Sequence, residues 1–311
     1  YRACNLAAIE TNASEINIDC IIAKKQKIKI TQRILKTFFR KKVSVIVPVF
    51  NAEKTIRTAL DALLAQSWDN IEIIVIDDCS TANTLKVVEE YNEEPNLFVY
   101  QNDENKGAYP TRNKGAVLAS GDFVTVMDAD DWAHPEKIEQ QVLPFLFKRK
   151  IKATVSHWVR CTKFLSFTKM RIDGSLIYRN ISSLMVEKSV FDDIGMWDEL
   201  RAGADTEFYH RLIANFGHNS VHEVLPDVPL SFGRGVETSL TQSSATHLVT
   251  QFGGARQVHV AFAQMWHRNA PTPIKFDLTR SLFPVPLELC PNKGARSLHN
   301  ENLHRWYRAF N

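Results

Sequence analysis

The sequence lacks the features that would place it outside the ordinary globular proteins. Its five cysteines are an odd number at wide spacings with no CxxC pair, which favours reduced thiols over a disulfide framework or a zinc site. No apolar run approaches the ~18–20 residues that a membrane-spanning helix needs, and no signal peptide is visible. The formal net charge of +3 is too small to indicate a nucleic-acid-binding protein. These absences predict a cytoplasmic protein.

Three motifs of well-known enzyme classes are also missing. No GxGxxG follows the first apolar run and no GxxxxGK[ST] occurs, which argues against a dinucleotide-binding Rossmann domain and against a P-loop NTPase. No GxSxG nucleophile elbow occurs either. The chain does have 311 residues, of which 44% are hydrophobic and 23% are charged. The composition is that of an ordinary globular protein, and the length is sufficient for one large domain or two small ones.

The small net charge is unevenly distributed along the chain. Residues 1–42 hold ten Lys and Arg against three Asp and Glu, a net +7, whereas residues 43–311 hold 28 against 32, a net −4. Within residues 24–42, basic and apolar residues are interleaved. This pattern predicts either a solvated helix that leads into the domain or a contact with a neighbouring domain or the anionic inner face of a membrane. Because the chain starts at Tyr1, we expect a fragment of a longer protein.

Apolar runs of strand length alternate with helical periods from residue 43 onwards. Strands are predicted over 43–49, 71–76, 97–100 and 123–127, and helices over 52–66, 81–93, 108–119 and 135–148. This alternation predicts an α/β fold with a mostly parallel sheet and helices on both faces. Farther on we expect a strand over 153–160, a hairpin at Asp173-Gly174, helices over 190–195 and 206–216, and an extended tail from residue 270.

Polar residues follow three of the four predicted strands, at the edge where open α/β sheets bind ligands. Asn51 follows the first strand, Asp77-Asp78 the second, and Asp128-Ala129-Asp130-Asp131 the fourth. Carboxylates two residues apart suit Mg²⁺ or Mn²⁺ shared with substrate phosphates. Arg112, near the start of a predicted helix, is a natural partner for a diphosphate. The alternatives are that the acidic clusters form turns or a helix cap, and that Arg112 lies on the surface.

These residues resemble the family 2 glycosyltransferases with the GT-A fold. Four segments follow the family's order and spacing: Val43 to Asn51, Asp77 to Ser80, Ala108 to Gly115 and Asp128 to Asp131. Farther on, Ala204-Asp205 lies where the family carries its Glu-Asp motif, with Ala204 in place of the usual Glu. The resemblance covers residues 43 to about 235. It implies a bacterial, inverting, non-processive enzyme, because the transmembrane helices and QxxRW motif of the processive synthases are absent.

The resemblance implies a role for each matched residue. Asp205 is the catalytic base, Asp130 binds a divalent metal, Mn²⁺ or Mg²⁺, and the nucleotide-sugar contacts are Pro48, Phe50, Asn51, Asp78, Arg112 and Asp128. Secondary candidates are Asp131 at the acidic cluster, Glu207 as an alternative base, and His247 in a loop that would close over the site. An acidic first helical turn is the other explanation for Asp205 and Glu207, and a solvated loop residue the other one for His247.

The sequence therefore predicts metal-dependent transfer of a sugar, from a UDP-sugar by default, to a hydroxyl of a saccharide in bacterial surface polysaccharide synthesis. Residues 43–235 would form the catalytic domain, with a nucleotide-sugar half at 43–132 and an acceptor half at 133–235. Residues 1–42 would be a basic appendage, and residues 236–311 a flexible loop and an extension that packs on the domain. A nucleotidyltransferase on a related fold and a non-catalytic nucleotide- or glycan-binding module are the alternatives.

Overall fold

The structure is a computed structural model that describes residues 6–11, 17–23, 40–81, 83–168, 174–235, 254–279 and 282–290. Residues 24–39 of the basic segment, Asp173 of the predicted hairpin and the predicted loop with His247 lie outside these residues. The chain divides into two compact units, which we number by their first residues. Unit 1 consists of Tyr1–Asn105, Gly115–Lys188 and Val221–Gly235, and unit 2 of Lys106–Lys114, Ser189–Ser220 and Val236–Asn311.

All of the described strands belong to unit 1. In chain order they are β1 (Ile9–Thr11), β2 (Ile21–Ala23), β3 (Val43–Val49), β4 (Ile71–Asp77), β5 (Leu97–Gln101), β6 (Phe123–Val126), β7 (Trp132–Ala133), β8 (Ala153–Val155), β9 (His157–Cys161), β10 (Ile177–Arg179), β11 (Met185–Glu187), β12 (Val221–Glu223) and β13 (Pro229–Arg234). The described helices are α1 (Ile56–Leu64), α2 (Thr84–Glu89), α3 (Ala108–Leu118), α4 (Lys137–Phe147), α5 (Ser189–Ile194), α6 (Ala204–Phe216) and α7 (Ala255–Asn269).

A seven-stranded sheet forms the centre of unit 1, in the order β12-β8-β11-β6-β3-β4-β5. β11 is antiparallel to both of its neighbours, whereas every other pair in this sheet is parallel. Every residue of β4 is buried, as expected for a central parallel strand covered on both faces. The predicted α/β fold with a mostly parallel sheet is confirmed. Because β3, β4 and β6 are mutually parallel, their carboxyl ends meet at one edge, which is where the site must be sought.

A second sheet changes the interpretation of one predicted strand. The sequence indicates a single strand over 153–160, but β8 pairs in the seven-stranded sheet and β9 in a four-stranded sheet of order β10-β9-β13-β7. The buried Ser156 separates the two strands. Ser156 and His157 interrupt the apolar residues of this segment, but both are buried, so burial continues across the change of sheet. The four-stranded sheet places the end of β13 close to the residues that follow β6.

Two close contacts anchor the amino-terminal half of the seven-stranded sheet. A Cβ atom at Gly115 of α3 would lie 2.5 Å from Cγ2 of Ile46, so the approach of this helix to β3 requires glycine. At the amino ends of β3 and β4, the buried Glu72 carboxylate accepts three hydrogen bonds. They come from Ser44 Oγ at 2.5 Å, from Ser120 N at 2.6 Å and from Ser120 Oγ at 2.7 Å. Lys42 Nζ lies 2.6 Å from the same carboxylate. This network joins β3 and β4 to the turn before β6.

Unit 2 is helical in its described part. Phe191, Trp197 and Phe208 form an aromatic cluster with ring centroids 5.0–5.6 Å apart, which packs α5 against α6. Gly195 follows α5 with φ +81°, and a Cβ atom there would lie 2.2 Å from the Phe276 carbonyl oxygen. α7 packs along α6, and the sequence analysis did not predict it. Among the helices that the structure describes, none combines the length and apolar character that a bilayer crossing requires.

Candidate functional site

The turn after β3 is held against the turn after β4. Asn51 has φ +48°, in the left-handed region that asparagine tolerates better than most residues. Its backbone N–H donates to Ser80 Oγ at 2.9 Å, and its side-chain Oδ1 accepts from Thr81 N at 2.9 Å. Before it, Pro48 is half-buried and the Phe50 ring is 48% exposed. The three residues assigned to the nucleotide pocket therefore lie together at the carboxyl edge, and the Phe50 ring is open to stack on a ligand.

Two buried carboxylates lie at the end of β4 on the same edge: Asp77 is its last residue and Asp78 follows it. Asp78 accepts a hydrogen bond at Oδ1 from Asn102 Nδ2 at 2.8 Å. Asp77 accepts at Oδ2 from Ser80 N at 3.1 Å and from Gln101 Nε2 at 3.3 Å, while its buried Oδ1 has no partner among the described residues. Asn102, which directly follows β5, was missed in the sequence analysis. The rule that polar residues at strand ends form the site would have found it, had it been applied to this strand.

The acidic loop, residues 128–131, follows β6. Asp131 N donates to the Asp128 carbonyl oxygen at 3.2 Å, which closes a turn, and Asp131 is buried while Asp128 and Asp130 are half-buried. Burial, followed by the charge of Asp128, raises the pKa of Asp130 to about 6. Burial, followed by the charges of Asp130 and Asp128, raises the pKa of the Asp131 carboxyl well above its usual range. The loop therefore concentrates negative charge that nearby Arg160 and Arg234 only partly offset.

The donor set of the acidic loop fits a hard divalent cation. Mg²⁺ and Mn²⁺ prefer oxygen ligands and are often held by one or two carboxylates together with substrate phosphates. The described residues include no group of three or more His, Cys, Asp or Glu side chains that could hold a metal ion without such help. Crowded carboxylates that raise one another's pKa are stabilised by a nearby cation. Asp130, with Asp128 beside it, is thus suited to a cation that is shared with a bound diphosphate.

In unit 2, Asp205 lies in the first turn of α6. Its Oδ1 accepts hydrogen bonds from the Tyr109 hydroxyl at 2.9 Å and from Thr206 N at 2.8 Å. No residue that the structure describes bonds to Oδ2, and the side chain is half-buried. Burial, followed by the charge of Asp205, raises the pKa of the Tyr109 hydroxyl well above its usual range, so the hydroxyl stays a donor. One oxygen of Asp205 is thus oriented, and the other is available for a substrate proton.

The start of α3 orients Tyr109 and Arg112. Asn113 makes two hydrogen bonds to the backbone of Trp197. Its Nδ2 donates to the carbonyl oxygen at 2.9 Å, and its Oδ1 accepts from the N–H at 3.1 Å. The Arg112 guanidinium lies over the Tyr109 ring, 4.9 Å from its centroid, and is buried. Tyr109 belongs to a segment that the sequence analysis singled out, but its contact with Asp205 spans 96 residues of sequence and has no local pattern.

Glu207, two residues after Asp205, lies in a buried ion pair. Its side chain and that of Arg211 are both 0% exposed, with Oε2 2.9 Å from Nη2. The other oxygen lies 2.9 Å from His267 Nε2. Burial opposes ionisation of Glu207, but Arg211 and His267 outweigh it and hold the pKa of Glu207 below its ordinary value. Both carboxylate oxygens are occupied, which makes Glu207 less suited than Asp205 to accept a substrate proton.

Residues 44–196 match the family model described as "Glycosyl transferase family 2". Over 159 residues the chain is 31% identical to "Glycosyltransferase GlyA" of Streptococcus pneumoniae serotype 4, which covers 51% of this chain and 21% of that protein. Over 101 residues it is 41% identical to the poly(ribitol-phosphate) beta-N-acetylglucosaminyltransferase TarS of Staphylococcus aureus strain Mu50, covering 32% of this chain and 18% of that protein. The chain therefore spans about a fifth of the length of these relatives.

Two solved structures have folds similar to that of this chain. A crystal structure of S. aureus TarS in complex with UDP-GlcNAc has a TM-score of 0.53 and 26% identity, and it covers 64% of this chain and 60% of that one. A mannosyltransferase of Pyrobaculum calidifontis in complex with GDP-Man and Mn²⁺ has a TM-score of 0.51 and 20% identity, and it covers 75% and 71%. The second likeness is one of fold. The family match includes the acidic loop and ends before Asp205.

Proposed function

We propose that the chain carries a family 2 glycosyltransferase domain with the GT-A fold, and that it moves a sugar from a nucleotide-diphosphate donor to a saccharide hydroxyl with inversion. The observation that carries the proposal is the shared edge of the sheet. There, Asp78 and the acidic loop both follow parallel strands that pair with β3. We keep residues 43–235 as the proposed catalytic domain.

The proposed donor is a UDP-sugar. Asp78 is fixed by Asn102 and can accept a base N–H, and Phe50 with Pro48 offers apolar surface beside Asn51. The TarS structure in complex with UDP-GlcNAc supports uracil as the base. The mannosyltransferase structure holds GDP-Man instead, so the fold itself accommodates more than one base. A comparison of donors therefore belongs in the first experiment.

The proposed cofactor is Mn²⁺ or Mg²⁺ at the acidic loop, held by Asp130 and bordered by Asp128. When bound, the divalent cation would supply charge neutralisation for the diphosphate leaving group. The chemistry of the carboxylates supports this, because burial and mutual repulsion leave the loop with unbalanced negative charge. The Mn²⁺ in the mannosyltransferase structure supports the same class of ion. Arg112 is the proposed cationic contact of the donor.

The proposed base is Asp205. Its Oδ2 would accept the proton of the acceptor hydroxyl while that oxygen attacks the anomeric carbon from the face opposite the leaving group. The hydrogen bonds from Tyr109 and Thr206 to Oδ1 fix the orientation of the carboxylate. No protein acid is needed in this scheme, because a nucleoside diphosphate leaves as an anion. His247 stays a proposed contact of metal or phosphate, outside the described residues.

The proposed acceptor is a bacterial surface polysaccharide. TarS, whose name specifies a poly(ribitol-phosphate) acceptor, supports a glycopolymer substrate. We also propose a cytoplasmic position with residues 24–42 against a neighbouring domain or an anionic membrane, on the basis of their basic and apolar pattern alone. Of these residues, 40–42 are described, and Lys41 Nζ lies 2.6 Å from Asp122 of the catalytic domain.

Product analysis tests the proposal against its alternatives. The chain is incubated with a panel of UDP-, GDP- and TDP-sugars and saccharide acceptors, and the released nucleotide is identified. A nucleoside diphosphate with sugar transfer supports the proposal, pyrophosphate indicates a nucleotidyltransferase, and binding without release indicates a binding module. EDTA and Asp205→Asn should each abolish transfer, while Asp193→Asn, a change at an exposed acid of α5, should leave turnover unchanged. Full turnover in EDTA would remove the metal from the proposal.

A further inference from the structure

Arg234, at the end of β13, supports the acidic loop from outside. Its Nε donates to the carbonyl oxygen of Asp130 at 3.1 Å, and its backbone N–H donates to Asp131 Oδ1 at 3.2 Å. The side chain is 4% exposed. One residue therefore fixes both the main chain and a carboxylate of the loop that follows β6. Arg234 lies beyond residues 44–196, which match the family model.

Asp19 holds the guanidinium of Arg234 in this orientation. Arg234 Nη1 donates to Asp19 Oδ2 at 3.3 Å, and Nη2 donates to Asp19 Oδ1. The same Oδ1 accepts from Thr58 Oγ1 at 2.5 Å. The hydrogen bond from Thr58 and the bidentate contact of the Arg234 guanidinium together fix the orientation of the Asp19 carboxylate.

The segment that carries Asp19 is itself anchored. It forms a 3-10 turn, Ile18–Cys20, that is capped by Asn17. The Asn17 Oδ1 accepts a hydrogen bond from Asp19 N at 3.0 Å. Ile18 is 0% exposed and belongs to the main core cluster of unit 1, and its N–H donates to the Lys163 carbonyl oxygen at 2.9 Å. A segment that precedes the family match is thus built into the wall behind the acidic loop.

The charges explain why an acid is needed at position 19. A buried guanidinium without a partner is costly, and Arg234 already contacts Asp130 and Asp131 of the acidic loop, whose carboxylates could serve as its partners. Those carboxylates would then be neutralised by the protein, and a divalent cation would have to displace Arg234 to bind. Asp19 neutralises Arg234 from the far side. Arg234 can therefore contribute its hydrogen bonds to the loop while the loop keeps its negative charge.

We propose that Asp19 and Arg234 are a positioning pair that presents the acidic loop to a divalent cation. Neither residue would touch the cation or the substrate; both would act through the placement of Asp130 and Asp131. The inference rests on the proposed metal-dependent function and extends it to residues that the family match does not include. It predicts that disruption of the pair weakens cation binding before it affects the chemistry of transfer.

The test is Mn²⁺ binding by isothermal titration calorimetry, with and without UDP, on the full chain. Asp19→Asn should weaken Mn²⁺ binding by about tenfold, the scale for loss of a group that orients a metal ligand. The KM for Mn²⁺ should rise in parallel while kcat at saturating Mn²⁺ changes by less than about threefold. Asp19→Glu should restore part of the affinity. Glu90→Gln, which breaks the exposed ion pair with Arg57, is the matched control and should bind Mn²⁺ as the wild type does.

The outcomes separate this inference from the proposed function. If the wild type binds no Mn²⁺ either with or without UDP, the proposed metal-dependent function is refuted. If the wild type binds Mn²⁺ and Asp19→Asn binds it within twofold at an unchanged Tm in EDTA, the positioning pair is refuted. Should Asp19→Asn not fold, Thr58→Val removes one hydrogen bond and keeps the charge of Asp19, and it should weaken Mn²⁺ binding by about threefold. Wild-type affinity in the Thr58→Val variant would then refute the inference.

Discussion

Replacement of Glu207 by Gln separates a structural carboxylate from a catalytic one. Glu207 and Arg211 are both fully buried, and their charged groups are 2.9 Å apart. Gln keeps the shape of the side chain but removes the negative charge, so Arg211 loses its counter-charge and keeps only neutral partners, among them the Ile194 and Met196 carbonyl oxygens. Removal of one partner from a buried ion pair costs about 3–5 kcal/mol. With about 2–4 °C of Tm for each kcal/mol in a chain of this size, Tm should fall by roughly 6–20 °C.

The assay measures stability and turnover on the same preparations. Tm comes from thermal unfolding followed by tryptophan fluorescence, and kcat is expressed per folded molecule at a temperature below the transition. Glu207→Gln should lower Tm and leave kcat within about threefold, because both of its oxygens bind protein groups. Asp205→Asn should do the opposite, with an unchanged Tm and no transfer. An unchanged Tm together with lost transfer in Glu207→Gln would refute the reasoning and make Glu207 the base.

Two further predictions concern stability. Burial opposes ionisation of Glu72, but hydrogen bonds from Lys42, Ser44 and Ser120 outweigh it and lower the pKa of Glu72 from its ordinary 4.5 to about 2. The ionised carboxylate therefore stabilises the fold fully above pH 4.5, and this contribution is lost as the pH falls towards 2. Glu72→Gln should therefore lower the free energy of unfolding, measured in urea at pH 7, by up to about 3 kcal/mol, and it should flatten the pH dependence of stability between pH 2 and 4.5. An equal loss of stability at pH 7 and pH 2 would contradict this prediction. Gly195→Ala should cost at least about 2 kcal/mol, because it adds a clash with the Phe276 carbonyl to backbone strain at φ +81°. Gly217→Ala, at φ +79° and ψ 163° with no heavy atom within 4 Å, should cost the backbone strain alone, about 1–3 kcal/mol, and a loss at Gly195 no larger than that at Gly217 would show that the clash is relieved.

The parallel strands and the acidic edge could be predicted from the sequence because each depends on local patterns. β3, β4 and β6 are buried on both faces, so each reads as an apolar run that ends in polar residues. The same patterns located Asp78 and the acidic loop. The bounds of helices were less accurate: α2 covers Thr84–Glu89, whereas the pattern indicated 81–93.

The supports of the site could not be predicted, because they are tertiary contacts without a local pattern. The ion pair of Asp19 with Arg234 joins residues 215 positions apart, and the hydrogen bond between Glu207 and His267 joins α6 to α7, a helix that no local pattern predicted. The exchange of sheets at Ser156 was hidden for a different reason. Only Ser156 separates β8 from β9, and the polar pair Ser156-His157 does not by itself indicate that two sheets meet there.

β11 governs the order in which the seven-stranded sheet can be completed during folding. β8 and β12 reach the central strands only through β11, which pairs with β6 on one side and β8 on the other. β3, β4 and β6 can pair as soon as residue 126 has left the ribosome, whereas β8 must wait with an open edge until residues 185–187 are made. Non-local pairings of this kind are formed late and leave exposed edges to other chains meanwhile. The acidic loop directly follows β6, so its carboxylates are exposed before the residues that later surround them are made.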